Sequence, residues 1–388
     1  MSARAAQQPV LWPAFAATGA IACFAYLFLR VEAQWEVAAL AVGAVLALLA
    51  FGRTRLGAAV GAAWSVRPVP LAWGALLAAS VVVALFAEDH FALLLIATVL
   101  LYGLACLGLT IQFGYAGVVN FSGAAFFGVG GYTAAVLATH TALPHPLVLA
   151  AGGVLAGAIG SLLVLPLLRT RGHYAALITI AFAILFKTFL EVNDALGGPQ
   201  GLKVPGMRML GWSFNDNIPL GEQTELSFYL SYAVFSLLLL AGALLLMRRL
   251  ERSWLGLSLD AVRIDETAAA VFGFEVARWK ILAFTLGNVL AGVAGAAYAM
   301  MTGFVAPASF TFAESLIMVS IVILGGLGNP VGVLAAAALV LVLPEKLQVI
   351  QEYRFLLFSG FVILVLLFRP EGLLPRTLRQ YLPGWGRA

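Results

Sequence analysis

Charge is what this sequence has least of: Asp, Glu, Lys and Arg together make up 10% of its 388 residues. Soluble domains carry roughly a quarter, so the chain lacks the polar surface needed to face water on all sides. That excludes a soluble globular protein and a disordered chain alike. The only two cysteines, Cys23 and Cys106, both sit in apolar runs, which excludes a disulfide framework. They read as small core residues. The four histidines, His90, His140, His145 and His173, do not group on one helix face. His140 and His145 share a loop, but an isolated pair does not define a metal site. There is no G-x-x-x-x-G-K-[ST] phosphate loop, no H-E-x-x-H and no C-x-x-C, and Gly128-x-Gly130-Gly131 does not complete a dinucleotide fingerprint. Catalysis, a metal, a cofactor of its own and a nucleic-acid partner are therefore not expected.

What is present is apolar: 62% of residues are hydrophobic and the mean hydropathy is +1.01. A bilayer is the solvent that suits such a chain. A transmembrane barrel would alternate apolar and polar residues, whereas the runs here are continuous, as in residues 38–51. The expected class is an all-α polytopic membrane protein. Twelve apolar segments can be read, at 11–29, 35–51, 69–87, 91–111, 118–139, 147–168, 174–190, 226–247, 281–301, 312–327, 331–343 and 354–368. At about 20 residues per crossing, they allow ten to twelve transmembrane helices. The tenth and eleventh are short and could form a re-entrant pair.

Basic residues divide unevenly between the two sides these segments define. Arg4, Arg53, Arg55, Arg67, Arg169, Arg171, Arg248, Arg249, Arg252, Arg263, Arg278, Lys280, Arg369, Arg376, Arg379 and Arg387 lie on one side. Arg30, Lys203, Arg208, Lys346 and Arg354 lie on the other, and Lys187 falls within a span. The positive-inside rule puts the first side, with both termini, in the cytoplasm. Arg4, the first apolar run and Val31-Glu32-Ala33 loosely resemble a signal peptide. The run is long for one, and an uncleaved helix is the reading adopted.

Three features stand out from the lipid-facing background. The outer loop 190–225 carries Gly197-Gly198-Pro199 and Pro205-Gly206, where a helix cannot continue. The inner segment 248–280 carries eleven charged residues in thirty-three. Within it Ala261, Val262, Ala268, Ala269 and Phe272 recur at helical spacing, with Asp260, Arg263, Asp265 and Glu266 between them and Gly273 after. That pattern predicts one short amphipathic helix ending in a left-handed glycine. It is either a solvated connector or a helix that docks in another protein's groove. The third feature is glycine density around Gly114, Gly117, Gly123, Gly128, Gly130 and Gly131, and again at Gly325, Gly326 and Gly328. Such interruptions often mark substrate paths in transporters, though small residues also serve helix packing. Packing suffices for 154–160 (VLAGAIG) and 289–295 (VLAGVAG), whose similarity hints at an internal repeat. Among polar residues within spans, Lys187 and Glu191 read as an i,i+4 ion pair, Asn288 as a helix bridge rather than a substrate contact, and Asn120 as a polar contact on the path. Thr179 and Glu314 complete the set, and no proton relay is visible.

Residues 114–136 (GYAGVVNFSGAAFFGVGGYTAAV), 171–182 (RGHYAALITIAF), 197–202 (GGPQGL), 323–330 (ILGGLGNP) and 367–373 (LFRPEGL) resemble, in order, the signatures of permeases of branched-chain amino acid ABC importers, LivM type. Residues 266–273 (ETAAAVFG) look like that family's coupling element. The chain departs from the pattern at Gly123, where many relatives have histidine, and at Leu257 and Asp260, where they have basic residues. The resemblance implies an ABC-importer permease fold with an N-terminal extension of two helices at 1–68, a core at 69–375 and a tail at 376–388. It implies a non-catalytic subunit in the bacterial inner membrane. Partners would be two ATPase subunits, a second, LivH-type permease and a periplasmic binding protein that delivers an amino acid. Arg263, Asp265, Glu266, Ala268, Ala269 and Gly273 would contact the ATPase. Gly114, Gly117, Asn120, Gly123, Gly128, Asn288, Gly325, Gly326 and Gly328 would line the path. Urea, amides or sugars are alternative substrates. A self-sufficient secondary transporter would need intramembrane carboxylates, which are scarce, and a channel or scaffold would not need the docking helix.

Overall fold

The computed structural model describes residues 12–31, 33–37, 68–170, 173–209, 211–219 and 225–347, with isolated positions at 39, 40, 43, 54, 353, 356, 360, 363, 367, 372–374 and 376. The helices are α1 (Trp12–Arg30), α2 (Pro68–Leu85), α3 (His90–Thr110), α4 (Gly123–His140), α5 (His145–Arg169), α6 (His173–Val192), α7 (Tyr229–Glu251), α8 (Trp254–Ile264), α9 (Glu266–Val271), α10 (Val276–Thr302), α11 (Phe312–Gly325) and α12 (Pro330–Lys346). Between α6 and α7, the expected loop folds into short strands: β1 (Leu202–Lys203), β2 (Arg208–Met209), β3 (Trp212–Ser213), β4 (Ile218–Pro219) and β5 (Glu225–Leu226). β1 pairs antiparallel with β6 (Phe304–Val305), β2 with β3 and β4 with β5. The fold is mainly helical rather than wholly so.

Among the described residues, six helices are long and apolar enough to cross a membrane: Trp12–Arg30, His90–Tyr115, His145–Arg169, Tyr174–Val192, Tyr229–Glu251 and Val276–Thr302. The expectation of twelve segments is not reached. Most of residues 35–51 and 354–368 lie outside the described residues. Pro70–Leu85 and Phe312–Gly325 are apolar but short. The 118–139 segment becomes helical only at Gly123, because residues 116–122 leave the helix. The 312–343 stretch is cut where α11 ends at Gly326 and Asn329 starts a new helix. The Asn329 side chain accepts from the backbone N–H groups of Val331 (3.1 Å) and Gly332 (3.3 Å), an N-cap followed by proline in the first helical position.

By contacts the chain divides into two compact units. One comprises residues 1–97, 216–241 and 341–352. In it, a Cβ on Gly74 would lie 2.7 Å from the Phe15 ring, so α1 and α2 meet closely. The Lys346 ammonium donates to the carbonyl oxygens of Leu29 (2.5 Å) and Val31 (3.3 Å). These are carbonyls at the end of α1, where a helix leaves acceptors unsatisfied and favours positive charge.

The other unit comprises residues 98–215, 242–340 and 353–388 and is built around α10. Three helices pack on α10 at glycines, and for α3 and α5 the contact register descends along α10, so these two run antiparallel to it. From α3, a Cβ on Gly108 would collide with the Gly287 carbonyl; from α4, one on Gly130 would collide with that of Gly292. From α5, Gly152 faces Ala296, Gly153 faces Val293, Gly157 faces Val289 and Gly160 faces Asn288. Ser161 and Thr285 share a hydrogen bond of 2.7 Å in the same seam. The two similar stretches 154–160 and 289–295 therefore pack against each other, and the small-residue reading of them is correct. Without a hydrophobic drive between helices in lipid, close backbone approach of this kind supplies the association energy. Phe126, Phe127 and Phe284 are among the largest side chains fully buried in this core.

Candidate functional site

The glycine-rich 114–131 stretch begins where α3 loses its regular form. Ile111–Tyr115 makes a π-helical turn, with Ala116 N–H bonded to the Ile111 carbonyl (3.3 Å) and Val118 N–H to that of Gln112 (2.9 Å). Wider turns of this kind are rare and recur at functional sites. Gly117 follows at φ +67°, a left-handed conformation that side chains disfavour. The chain then runs irregularly to Ser122, before α4 starts.

The turn swings a polar group into the core. Gln112 Nε2 donates to the Phe284 carbonyl (3.0 Å) and to Asn288 Oδ1 (3.0 Å). Asn120 Nδ2 donates to Gln112 Oε1 (2.8 Å) and Asn288 Oδ1 (3.3 Å). Asn120 Oδ1 accepts from Ser122 N–H (2.9 Å) and the Ser122 hydroxyl (2.6 Å). Phe121 N–H reaches Thr179 Oγ1 (3.1 Å), and Ala124 N–H reaches Ser315 Oγ (3.1 Å). The backbone groups released by the break are thus met by side chains from α6 and α11, as a bilayer interior requires. Asn120 and Asn288, expected separately, lie in one network, and Gln112, not among the expected residues, joins them. Asn288 Nδ2 is buried without a hydrogen-bond partner and faces Gly160.

The expected glycines occupy several environments. Gly114 meets Gly328 backbone to backbone, Gly325 meets Val333 Cα (2.5 Å) and Gly326 meets Gly372, while Gly123 packs on Leu109 (2.9 Å). Gly128 lies apart from these, between Phe186 and Phe310, both 2.8 Å from where its Cβ would be. Gly117 is exposed beside Arg263. Lys187 and Glu191 form the expected ion pair at 2.9 Å on one face of α6.

The charged segment departs from the single helix expected. Asp265 adopts an extended conformation between α8 and α9, and its carboxylate accepts from Thr267 N–H (2.8 Å) and Ala268 N–H (3.0 Å). Aspartate is favoured as an N-cap, so the residue that looked like a mid-helix charge starts a second helix. The break also splits the proposed apolar face. Val262 and Ala269 are buried, but Ala268, Val271 and Phe272 are exposed, the last two above 80%. Gly273 ends α9 at φ +86°, as its position implied. Glu266 binds Lys280 at 2.6 Å, bracing α9 to the start of α10.

At the same end of this unit lies a cluster that local sequence could not reveal. Arg376 forms a two-pronged ion pair with Asp260 (2.7 and 3.2 Å) and donates to the Gly114 carbonyl (3.2 Å). Its guanidinium lies 4.2 Å from the centre of the Tyr115 ring, and the Tyr115 hydroxyl donates to Glu251 (2.6 Å). Burial and the nearby Arg376 push the Arg263 pKa down, and Asp260 pulls it back up; a guanidinium remains charged throughout. Among the described residues no group of three metal-ligating side chains occurs.

A multi-pass helical membrane protein with broken helices at its core and a charged, apolar-tipped extramembrane segment has the form of a transport permease. Residues 91–367 match the family described as branched-chain amino acid transport system, permease component, and the chain belongs to that family. It is 36% identical to the high-affinity branched-chain amino acid transport system permease protein LivM of Escherichia coli K12 over 294 residues, 72% of this chain and 69% of the relative. It is 24% identical over 332 residues to the probable LivM of Methanocaldococcus jannaschii, covering 71% and 90% of the two chains. To LivH of Escherichia coli K12 it is 24% identical over 292 residues, 71% and 91%. No solved structure matches it. The matched family region begins after α1 and α2.

Proposed function

We propose that the chain moves branched-chain or closely related amino acids through an ATP-binding cassette importer of the bacterial inner membrane, both of its termini being cytoplasmic. Two ATPase subunits, a LivH-type permease and a periplasmic binding protein complete the complex, and this subunit itself catalyses nothing. Ten to twelve crossings remain the reading for the whole chain. The observation that carries the proposal is the 254–273 segment. Val271 and Phe272 stand exposed beside the Asp265-capped turn, on a segment outside the spans, in a family of transport permeases. Exposed apolar side chains rimmed by charge suit a protein groove.

The path runs along the broken helices. A zwitterion has no net charge to neutralise, so small residues, backbone groups at helix breaks and neutral amides suffice to pass it. Gly114, Gly117, Gly325 and Gly328 form the end of that path nearest the ATPases, and the Gln112–Asn120–Asn288 network stands at its middle. Cysteine at Phe272, in a chain without Cys23 and Cys106, should cross-link to a co-expressed ATPase subunit, whereas cysteine at Gln200 should not. Absence of any cross-link from Phe272 in an assembled, active complex would refute the docking assignment.

A further inference from the structure

Arg376 lies beyond the matched family residues, at the edge of what the sequence reads as a tail, yet its side chain is only 11% exposed, as is that of Asp260. Residues shortly before it are anchored: Leu373 N–H bonds to the Leu324 carbonyl (2.8 Å) and Leu374 N–H to the Gly325 carbonyl (3.2 Å). Its aliphatic stem crosses Gly328, where a Cβ would lie 2.6 Å from Arg376 Cδ. The guanidinium then reaches Asp260 on α8, the carbonyl of Gly114 in the first helix break and the face of Tyr115. One side chain thus touches both glycine-rich breaks and the charged segment. The other ion pairs among the described residues differ. Lys187–Glu191 stays within one helix, and Arg278–Glu275 is exposed and local. Glu266–Lys280 joins α9 only to the helix that follows it.

We propose that Arg376 is a positioning residue for transport: it links α8 to the breaks at 114–117 and 325–328, so that displacement of α8 by an ATPase reaches both. The inference rests on the reading of 254–273 as the ATPase-docking segment. Two features suit the pair to this task. A bidentate arginine–carboxylate pair fixes orientation as well as distance, and removing one partner of a buried pair leaves an uncompensated charge. The geometry is specific to arginine, since lysine offers a point charge that cannot engage both carboxylate oxygens and the Gly114 carbonyl in one plane.

The test uses the complete importer in proteoliposomes, with leucine uptake and ATP hydrolysis measured on the same preparation. The variants are Arg376→Lys and Asp260→Asn. Both should assemble with the ATPases and hydrolyse ATP, while leucine moved per ATP falls about tenfold, within the usual range for coupling between sites. An unchanged uptake-to-hydrolysis ratio in both variants would overturn the inference. So would a parallel loss of uptake and hydrolysis in proportion to assembled complex, because that is the mark of a merely structural contact. Failure of the wild-type chain to bind ATPase through Phe272 would instead remove the docking assignment, and the two results are separable.

Discussion

Replacing Asn120 by alanine should destabilise the protein more than replacing Asn288, although both amides are buried in the same network. Asn120 Oδ1 is the acceptor for both the N–H and the hydroxyl of Ser122, and its Nδ2 donates to Gln112 Oε1. Removal leaves a buried backbone donor and a buried amide oxygen without these partners. At about 1–3 kcal/mol for each of these two unsatisfied groups, the loss is about 2–6 kcal/mol. Asn288 is different. Its Oδ1 accepts from Gln112 and Asn120, but Gln112 keeps the Phe284 carbonyl and Asn120 keeps Gln112 Oε1. Its Nδ2 has no partner to lose. Two hydrogen bonds at about 0.6 kcal/mol each, a typical value inside membrane proteins, give about 1 kcal/mol. Both substitutions delete the same atoms, so the cavity costs largely cancel in the comparison. The assay is thermal unfolding in detergent, followed by reaction of the buried Cys106 thiol with a fluorescent probe in a Cys23→Ser chain. Equal midpoints, or a lower midpoint for Asn288→Ala, would refute the assignment of roles within the network.

Gly117→Leu forces a left-handed residue to carry a side chain, and Gly128→Leu must displace Phe186 and Phe310. Both should abolish uptake in intact cells without preventing assembly measured by co-purification, whereas Lys187→Met with Glu191→Gln should retain substantial uptake. Glu266→Lys sets two lysines side by side where a 2.6 Å ion pair stood, and Gly273→Val strains the left-handed end of α9. Each should leave membrane insertion intact and eliminate transport-linked ATP hydrolysis. For orientation, cysteine at Ser253 should resist a membrane-impermeant thiol reagent in intact cells and cysteine at Gln200 should react. External labelling at Ser253 would reverse the topology.

The parts of this molecule that were legible in the sequence are those fixed by local pattern. The α5 and α10 packing seam shows as repeated small residues, the Lys187–Glu191 pair as i,i+4 spacing, and the end of α9 as Gly273. Local pattern misled where a polar side chain competes with the helix backbone. Asp265 sits at helical spacing, yet its carboxylate caps the next turn and divides the segment in two. The β1–β6 pairing escaped because strands of two residues carry no periodicity, and their partners are a hundred residues apart. The amide network was half visible. Asn120 and Asn288 stood out against apolar surroundings, while Gln112 sat at the boundary of a span, where a polar residue is unremarked. Arg376 and Asp260 are separated by 116 residues and no spacing rule relates them.

The central claim is that this chain moves an amino acid only as part of an ATP-driven complex, and reconstitution tests it most directly. Labelled leucine uptake is measured in proteoliposomes holding the chain alone, under ion gradients, and then with two ATPase subunits, the second permease and the binding protein. Uptake should be absent from the chain alone and appear, dependent on ATP hydrolysis, in the complete assembly. Accumulation driven by an ion gradient with the chain alone would contradict the account.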